Sequence, residues 1–149
     1  MNALELLAED HQKVKELFEE AENAEGKEQQ KIFAQIKSEL EIHARIEETI
    51  FYPAVQEHEE LKDMVLESLE EHRQVKTLLK EMDALASDSE KFEPKLKVLM
   101  ENVEHHAEEE EEGKMFPKLR ELMDEQKLDE LGAELEAAKH NGSKQRKAS

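Results

Sequence analysis

Four histidines and two glutamates recur at spacings that let them face one another. His11, His43, His72 and His106 each interrupt an apolar helical stripe, and Glu47 and Glu110 each follow one of these histidines by four residues. In an α-helix that step lies one turn along the same face. A single histidine on such a stripe is ordinarily a core residue with one hydrogen bond. Four meeting in an apolar interior would leave nitrogens unpaired, at roughly 1–3 kcal/mol each. A buried, unpartnered carboxylate is costlier and ordinarily takes up a proton. Cations remove both costs together. Four nitrogen ligands and two carboxylates, with no sulfur, suit Fe or Mn, and also Zn or Cu. Six protein ligands shared by two ions leave positions open for a small exogenous molecule.

The histidines meet only if the helices align. The first helix is expected over about Asn2 to Ala24, with Leu4, Leu7, His11, Val14 and Phe18 on one stripe. Glu25-Gly26-Lys27 reads as a turn. The second runs from about Glu28 into the fifties, with Ile32, Ile36, Leu40, His43, Glu47 and Ile50 aligned, and Pro53 kinks or ends it. The third runs from about Glu59 to Ala86 through Leu61, Val65, Leu69, His72, Val75 and Leu79. Ser87-Asp88-Ser89 is a cluster of cap-forming residues, and Pro94 fits the first turn of the fourth helix. That helix carries Leu96, Leu99, Val103, His106 and Glu110. Steps of three and four residues mark amphipathic helices facing a core. A shorter fifth helix, about 118–139, presents Leu119, Leu122, Leu128, Leu131 and Leu135 and should cover the bundle. The expected domain is 1–140, with the bundle over about 2–117 and a disordered basic tail over 141–149.

The chain also repeats itself. Residues 9–18 align with 70–79, His43-Ala44 with His106-Ala107, and Phe51-Tyr52-Pro53 with Met115-Phe116-Pro117. The offset grows from 61 residues at the first histidine pair to 63 at the second and 64 at the prolines. This is a duplicated helical hairpin with small insertions in its second copy. Two such hairpins predict an all-α, antiparallel up-down four-helix bundle with an additional C-terminal helix. Along each helix, at about 1.5 Å per residue, the four histidines fall within about one turn of a common layer.

Composition bounds the partners. Of the 149 residues, 40% are charged, and the formal net charge is −18. Such a surface is unsuited to nucleic acid or to an anionic membrane. The apolar periodicity excludes disorder as the meaning of that charge. The absence of cysteine excludes thiolate metal ligands and cysteine nucleophiles. No basic, apolar leader opens the chain and no stretch is apolar enough to span a bilayer, so a cytoplasmic location is expected.

The pattern His11, His43-x3-Glu47, His72, His106-x3-Glu110 resembles the haemerythrin-like family of HHE cation-binding domains. The contexts DHxxV, HAxxEExxFYP and HHAEEEExxxMFP carry the resemblance, which covers about residues 1–120. It implies a four-helix bundle holding two Fe ions, a non-haem di-iron centre with oxo or hydroxo and carboxylate bridges. Glu47 and Glu110 would bridge the irons and the histidines would bind terminally. It further implies a small-molecule partner such as O2, NO or H2O2, handled for sensing, delivery or detoxification. Peroxide decomposition, nitric oxide chemistry and iron storage or buffering are the alternatives. The oxygen-carrying haemerythrins use five histidines, one Glu and one Asp. Here no third histidine stands on the second hairpin's stripes unless His105 serves, which favours a stable diferric form or peroxide turnover over simple oxygen carriage. No output domain is visible, so a sensor would need a protein partner.

Several neighbours admit two readings. His105-x3-Glu109 has the same spacing as His106-x3-Glu110, but Leu99 and Val103 turn His106 and Glu110 inward. A π-bulge absorbing the extra residue before Pro117 would re-aim that face. The rest of the run Glu108 to Glu112 reads as a solvated face. Asp10 and Glu71 either orient an imidazole or, more simply, are surface charges. Tyr52 is either a donor to the centre or, more simply, a packed aromatic. His58 and His140 are expected to be exposed, and Met64, Met100 and Met115 to fill core. Leu7, Leu40, Leu69 and Val103 are expected to line the space around the ions.

Overall fold

The computed structural model describes residues 1–86 and 88–148, with side chains through residue 142. Ser87, one of the expected capping residues, and Ser149 lie outside the described residues. Helix α1 spans Ala3–Glu22 and is capped by Asn2, whose side chain accepts from the Glu5 amide while the Glu5 carboxylate accepts from the Asn2 amide. Gly26, at φ +57°, supplies the left-handed residue that turns the chain into α2, Gly26–Ile46. The second rod then widens into a π segment, Glu47–Phe51, and continues as α3, Tyr52–Val55. Pro53 neither ends nor sharply interrupts it, because it occupies the first turn of α3, where its missing N–H is not needed. A 3₁₀ turn at Glu59–Leu61 leads into α4, Lys62–Asp83. Helix α5, Phe92–Glu104, has Pro94 in its first turn and passes into a second π segment, His105–Met115, then α6, Phe116–Leu122.

The four rods α1, α2–α3, α4 and α5–α6 form the expected antiparallel bundle, and the fifth, α7 (Glu125–Ala148), packs along α1 and α2. The backbone of α7 continues helical to Ala148, so the segment expected as a structureless tail from Asn141 is a helical extension over its described length. Docking of α7 is close: a Cβ on Gly132 would lie 2.6 Å from the Met1 carbonyl oxygen, so only glycine fits there. Leu128, Leu131 and Leu135 are buried in that contact. Among the described residues, no helix is long and apolar enough to cross a membrane.

The core has two apolar halves. One gathers Leu4, Leu7, Phe51, Tyr52, Phe116 and the leucines of α7. The other gathers Val14, Phe18, Ile36, Leu40, Leu79 and Leu99. Each of the four histidines stands in its helix between residues of one half and residues of the other, so the bundle carries one polar layer sandwiched by hydrocarbon.

Candidate metal centre

All four histidines present the same face inward. His11 and His43 bring their Nε2 atoms to 3.2 Å, and His72 and His106 to 3.1 Å. Glu47 and Glu111, both 0% exposed, lie between the two pairs. Glu47 Oε1 is 3.3 Å from His43 Nε2 and 3.0 Å from His72 Nε2. Glu111 spans in the same way, with Oε1 3.0 Å from His11 Nε2 and Oε2 3.2 Å from His106 Nε2. Two overlapping ligand sets result: His11, His43, Glu47 and Glu111, and Glu47, His72, His106 and Glu111, each with its ligand atoms within 4.8 Å of one another.

The structure corrects one of the six expected residues. Glu110 is not in the centre. It lies outside, with its carboxylate 3.5 Å from His105 and 3.2 Å from Lys114, and Glu111 takes the inward place. The cause is the second π segment, which is 11 residues long against 5 in the first hairpin. A π turn advances by more than four residues, so the inward position after His106 falls five residues on instead of four. The π-bulge that stood as the alternative to the His106/Glu110 register is present, and it re-aims the face. His105 points outward, 2.7 Å from Glu109.

The repeat offsets allowed either glutamate. Counting forward from the second histidine pair, an offset of 63 maps Glu47 onto Glu110; counting back from the prolines, an offset of 64 maps it onto Glu111. The structure places the extra residue before the carboxylate.

A second ring of carboxylates grips the outer nitrogens. His43 Nδ1 is 3.0 Å from Asp10, His72 Nδ1 is 2.7 Å from Glu48, His106 Nδ1 is 2.6 Å from Glu71, and His11 Nδ1 is 2.8 Å from Glu112. The ring is cyclic: each rod gives one imidazole inward and one carboxylate to the imidazole of the next rod, and the fourth returns to the first. Such partners fix the tautomer so that Nε2 is free to ligate. Asp10 and Glu71 thus have the orienting role rather than that of surface charge. Glu48 and Glu112 escaped the sequence reading, though each directly follows a central carboxylate and the two are 64 residues apart. Lys139 of α7 closes an ion pair on Asp10, and Lys76 lies 2.9 Å from Glu48.

Tyr52 reaches the centre as a donor. It is 1% exposed, donates its hydroxyl to Glu111, and holds that oxygen 3.3 Å from His72 Nε2 and 3.2 Å from His106 Nε2. Its counterpart in the repeat is Phe116, whose ring stacks 6.4 Å from that of His11. The two pairs therefore differ, one meeting a hydroxyl and the other a hydrocarbon ring. Of the remaining residues, His140 is exposed, His58 is half-buried, and Met115 is buried core.

Charge in this layer is strongly coupled. Burial pushes the His43 imidazole down, but the Glu47 charge and the bonds from Asp10 and Glu47 outweigh it and lift its pKa to about 10. Burial would raise Glu47, yet the His43 charge and bonds from three imidazoles hold it well below the carboxylate range. Burial, with the charges of Glu111 and Glu47, pushes the Tyr52 phenol well up, so it stays a donor. Protons on histidine can thus balance the two carboxylates, as cations would, but incompletely. Glu47 Oε2 is buried with no hydrogen bond, and Glu111 Oε1 has only the His11 Nε2 contact, an arrangement that disfavours a purely structural polar layer. The donor set, with a buried acceptor atom left over and every imidazole pre-oriented, fits metal ions.

The comparisons with known proteins agree. Residues 2–119 match the family described as Hemerythrin HHE cation binding domain. The crystal structure of a Hemerythrin HHE cation binding domain-containing protein from Mycobacterium kansasii superposes with a TM-score of 0.85 at 29% identity, covering 95% of this chain and 87% of that one. A protein named DNA nickase from Nostoc sp. is 29% identical over 140 residues, which is 93% of this chain and 39% of that protein. This chain therefore spans well under half the length of that relative. With the fold, the paired histidines and the shared carboxylates in place, the chain belongs to the hemerythrin HHE cation-binding domain family.

Proposed function

We propose that the chain is a non-haem di-iron protein that binds a small molecule, O2, NO or peroxide, for sensing, delivery or detoxification. One observation carries this reading: two ligand sets share Glu47 and Glu111, both fully buried, and Glu47 Oε2 has no hydrogen bond. His11 and His43 would hold one ion, His72 and His106 the other, and the two glutamates would bridge them. When bound, the irons supply redox chemistry and open coordination positions.

The chain's own residues supply the rest. Asp10, Glu48, Glu71 and Glu112 orient the imidazoles from outside. Leu7 and Leu40, both buried, belong to the two apolar halves of the core on either side of the layer. Tyr52 holds a proton on its Oη within hydrogen-bond reach of Glu111 and faces the His72/His106 pair. A hydrogen-bond donor at one ion position and a hydrocarbon ring at the other favour, as a second reading, a redox enzyme that decomposes peroxide. The nickase name belongs to a much longer protein, and the −18 charge of this chain opposes the counterion-release term that drives DNA binding.

The test is to load the purified protein anaerobically with ferrous iron, count metals by mass spectrometry, oxidise the loaded protein in air, and record its spectrum before and after reduction with dithionite. Close to two irons per chain are expected, with near-ultraviolet bands that bleach on reduction and disappear in a Glu47→Ala, Glu111→Ala double variant. Adding O2, NO and peroxide in turn then separates binding from turnover. A colourless protein holding zinc, or no metal, would end the redox reading.

A further inference from the structure

A cleft of about 420 Å³ opens beside the candidate centre, between α2 and α4. All four histidines contribute to its inner wall, and Val14, Leu40, Val75, Leu79 and Val103 line much of the rest. A diatomic gas or a peroxide needs little more room than a water molecule, whose share of liquid volume is about 30 Å³. The cleft is an order of magnitude larger and falls within the roughly 300–1,000 Å³ typical of sites for organic ligands. Away from the histidines its exposed lining is largely hydrocarbon, so the body of a matching ligand is apolar.

The rim identifies the other end of that ligand. Four carboxylates border the cleft, Asp10, Glu41, Glu48 and Asp83, and all are engaged: Asp10 by His43 and Lys139, Glu48 by His72 and Lys76, Asp83 by Lys37, and Glu41 in a contact of its own. Four cations also border it, and Lys37 and Lys76 are committed to the pairs just named. Arg45 on α2 and Lys80 on α4 are exposed, and among the described residues their side-chain charges have no partner. On a chain of net charge −18, the unmatched charges at this cleft are thus both positive.

We propose that the α2–α4 cleft binds an alkyl carboxylate of medium chain length, its tail against Val75, Leu79 and Leu40 and its carboxylate at the rim with Arg45 and Lys80. This deepens the small-molecule reading and rests on it for what the ligand lies beside. The recognition itself is made by this chain's side chains and does not need a metal.

The probe is sodium decanoate, titrated calorimetrically into metal-free and iron-loaded full-length protein, with decanol as the uncharged control. Decanoate is expected to bind both forms at one site per chain, and decanol at least tenfold more weakly. Arg45→Ala and Lys80→Ala should each weaken decanoate about threefold, and together about tenfold, the scale of exposed ion pairs. Val75→Phe should fill the cleft and remove binding, with helix content checked by circular dichroism. Both rim residues are exposed, so their variants report recognition rather than folding. No decanoate binding, equal binding of decanol, indifference to the rim variants, or binding only when iron is present would each overturn the proposal. If decanoate fails while NO or azide still shifts the visible bands of the iron-loaded protein, the cleft assignment falls and the di-iron reading stands. If no iron is held while decanoate binds as described, the reverse holds.

Discussion

The two hairpins of this bundle descend from one pattern but solve the same problem with different backbones. In the first, His43 and Glu47 are four residues apart, and a π segment of 5 residues begins at the carboxylate. In the second, His106 and Glu111 are five apart, inside a π segment of 11 residues. Both deliver a fully buried carboxylate to the same layer and both place the following glutamate on an imidazole of another rod, Glu48 on His72 and Glu112 on His11. What is kept is the position of the ligand in space, and the helix changes its winding to keep it. The copies differ in what caps the layer. Tyr52 brings a hydroxyl to Glu111, whereas Phe116 brings a ring to His11.

The sharpest way to break this comparison is at the carboxylates. Glu111→Ala should abolish stoichiometric metal binding, as Glu47→Ala should, while Glu110→Ala should leave the metal count unchanged. If Glu110→Ala loses metal and Glu111→Ala does not, the π register assigned to the second hairpin is wrong.

A step smaller are the outer carboxylates, whose loss ordinarily costs about 10–100-fold in metal affinity. Glu48→Gln and Glu112→Gln should fall in that range and match each other, since each holds one imidazole. Competition with a chelator of known affinity measures both. A large effect of one and none of the other would mean that the ring does not act evenly on the two ion positions.

Tyr52→Phe makes the first hairpin resemble the second. It removes the donor to Glu111 and should lower the stability of the metal-free chain by roughly 1–3 kcal/mol, read from the denaturant midpoint, while metal content stays intact. An unchanged midpoint would show that the Tyr52 hydroxyl bond to Glu111 contributes nothing net.

The smallest effect is expected from a deletion. Removing Glu109 gives the second hairpin the His-x3-Glu spacing of the first, so its π segment can shorten toward that of its counterpart. Metal count and helix content should both survive. Loss of metal would show that the longer π segment is itself required.

Much of the fold was open to reading because amphipathic periodicity is local. The stripes through Leu4, Leu7 and Val14, or Leu96 and Leu99, gave the rods, and the growing offsets between copies gave the hairpins. Tyr52 and the outer carboxylates were harder. A residue at the end of a rod or one step off a stripe looks like packing or surface charge, and only the approach of a neighbouring rod gives Asp10 an imidazole to hold.

By itself the sequence determined the residue types, the duplication, the amphipathic faces and five of the six central positions, because each depends only on spacing along one helix. Tertiary structure decided which of several consecutive glutamates turns inward. Five glutamates in a row, Glu108 to Glu112, offer equivalent side chains with no apolar residue among them to mark a face. Their assignment depends on how the helix winds between His106 and Pro117, and that winding is set by the need to bring both His106 and Glu111 to a layer whose other members come from three other rods.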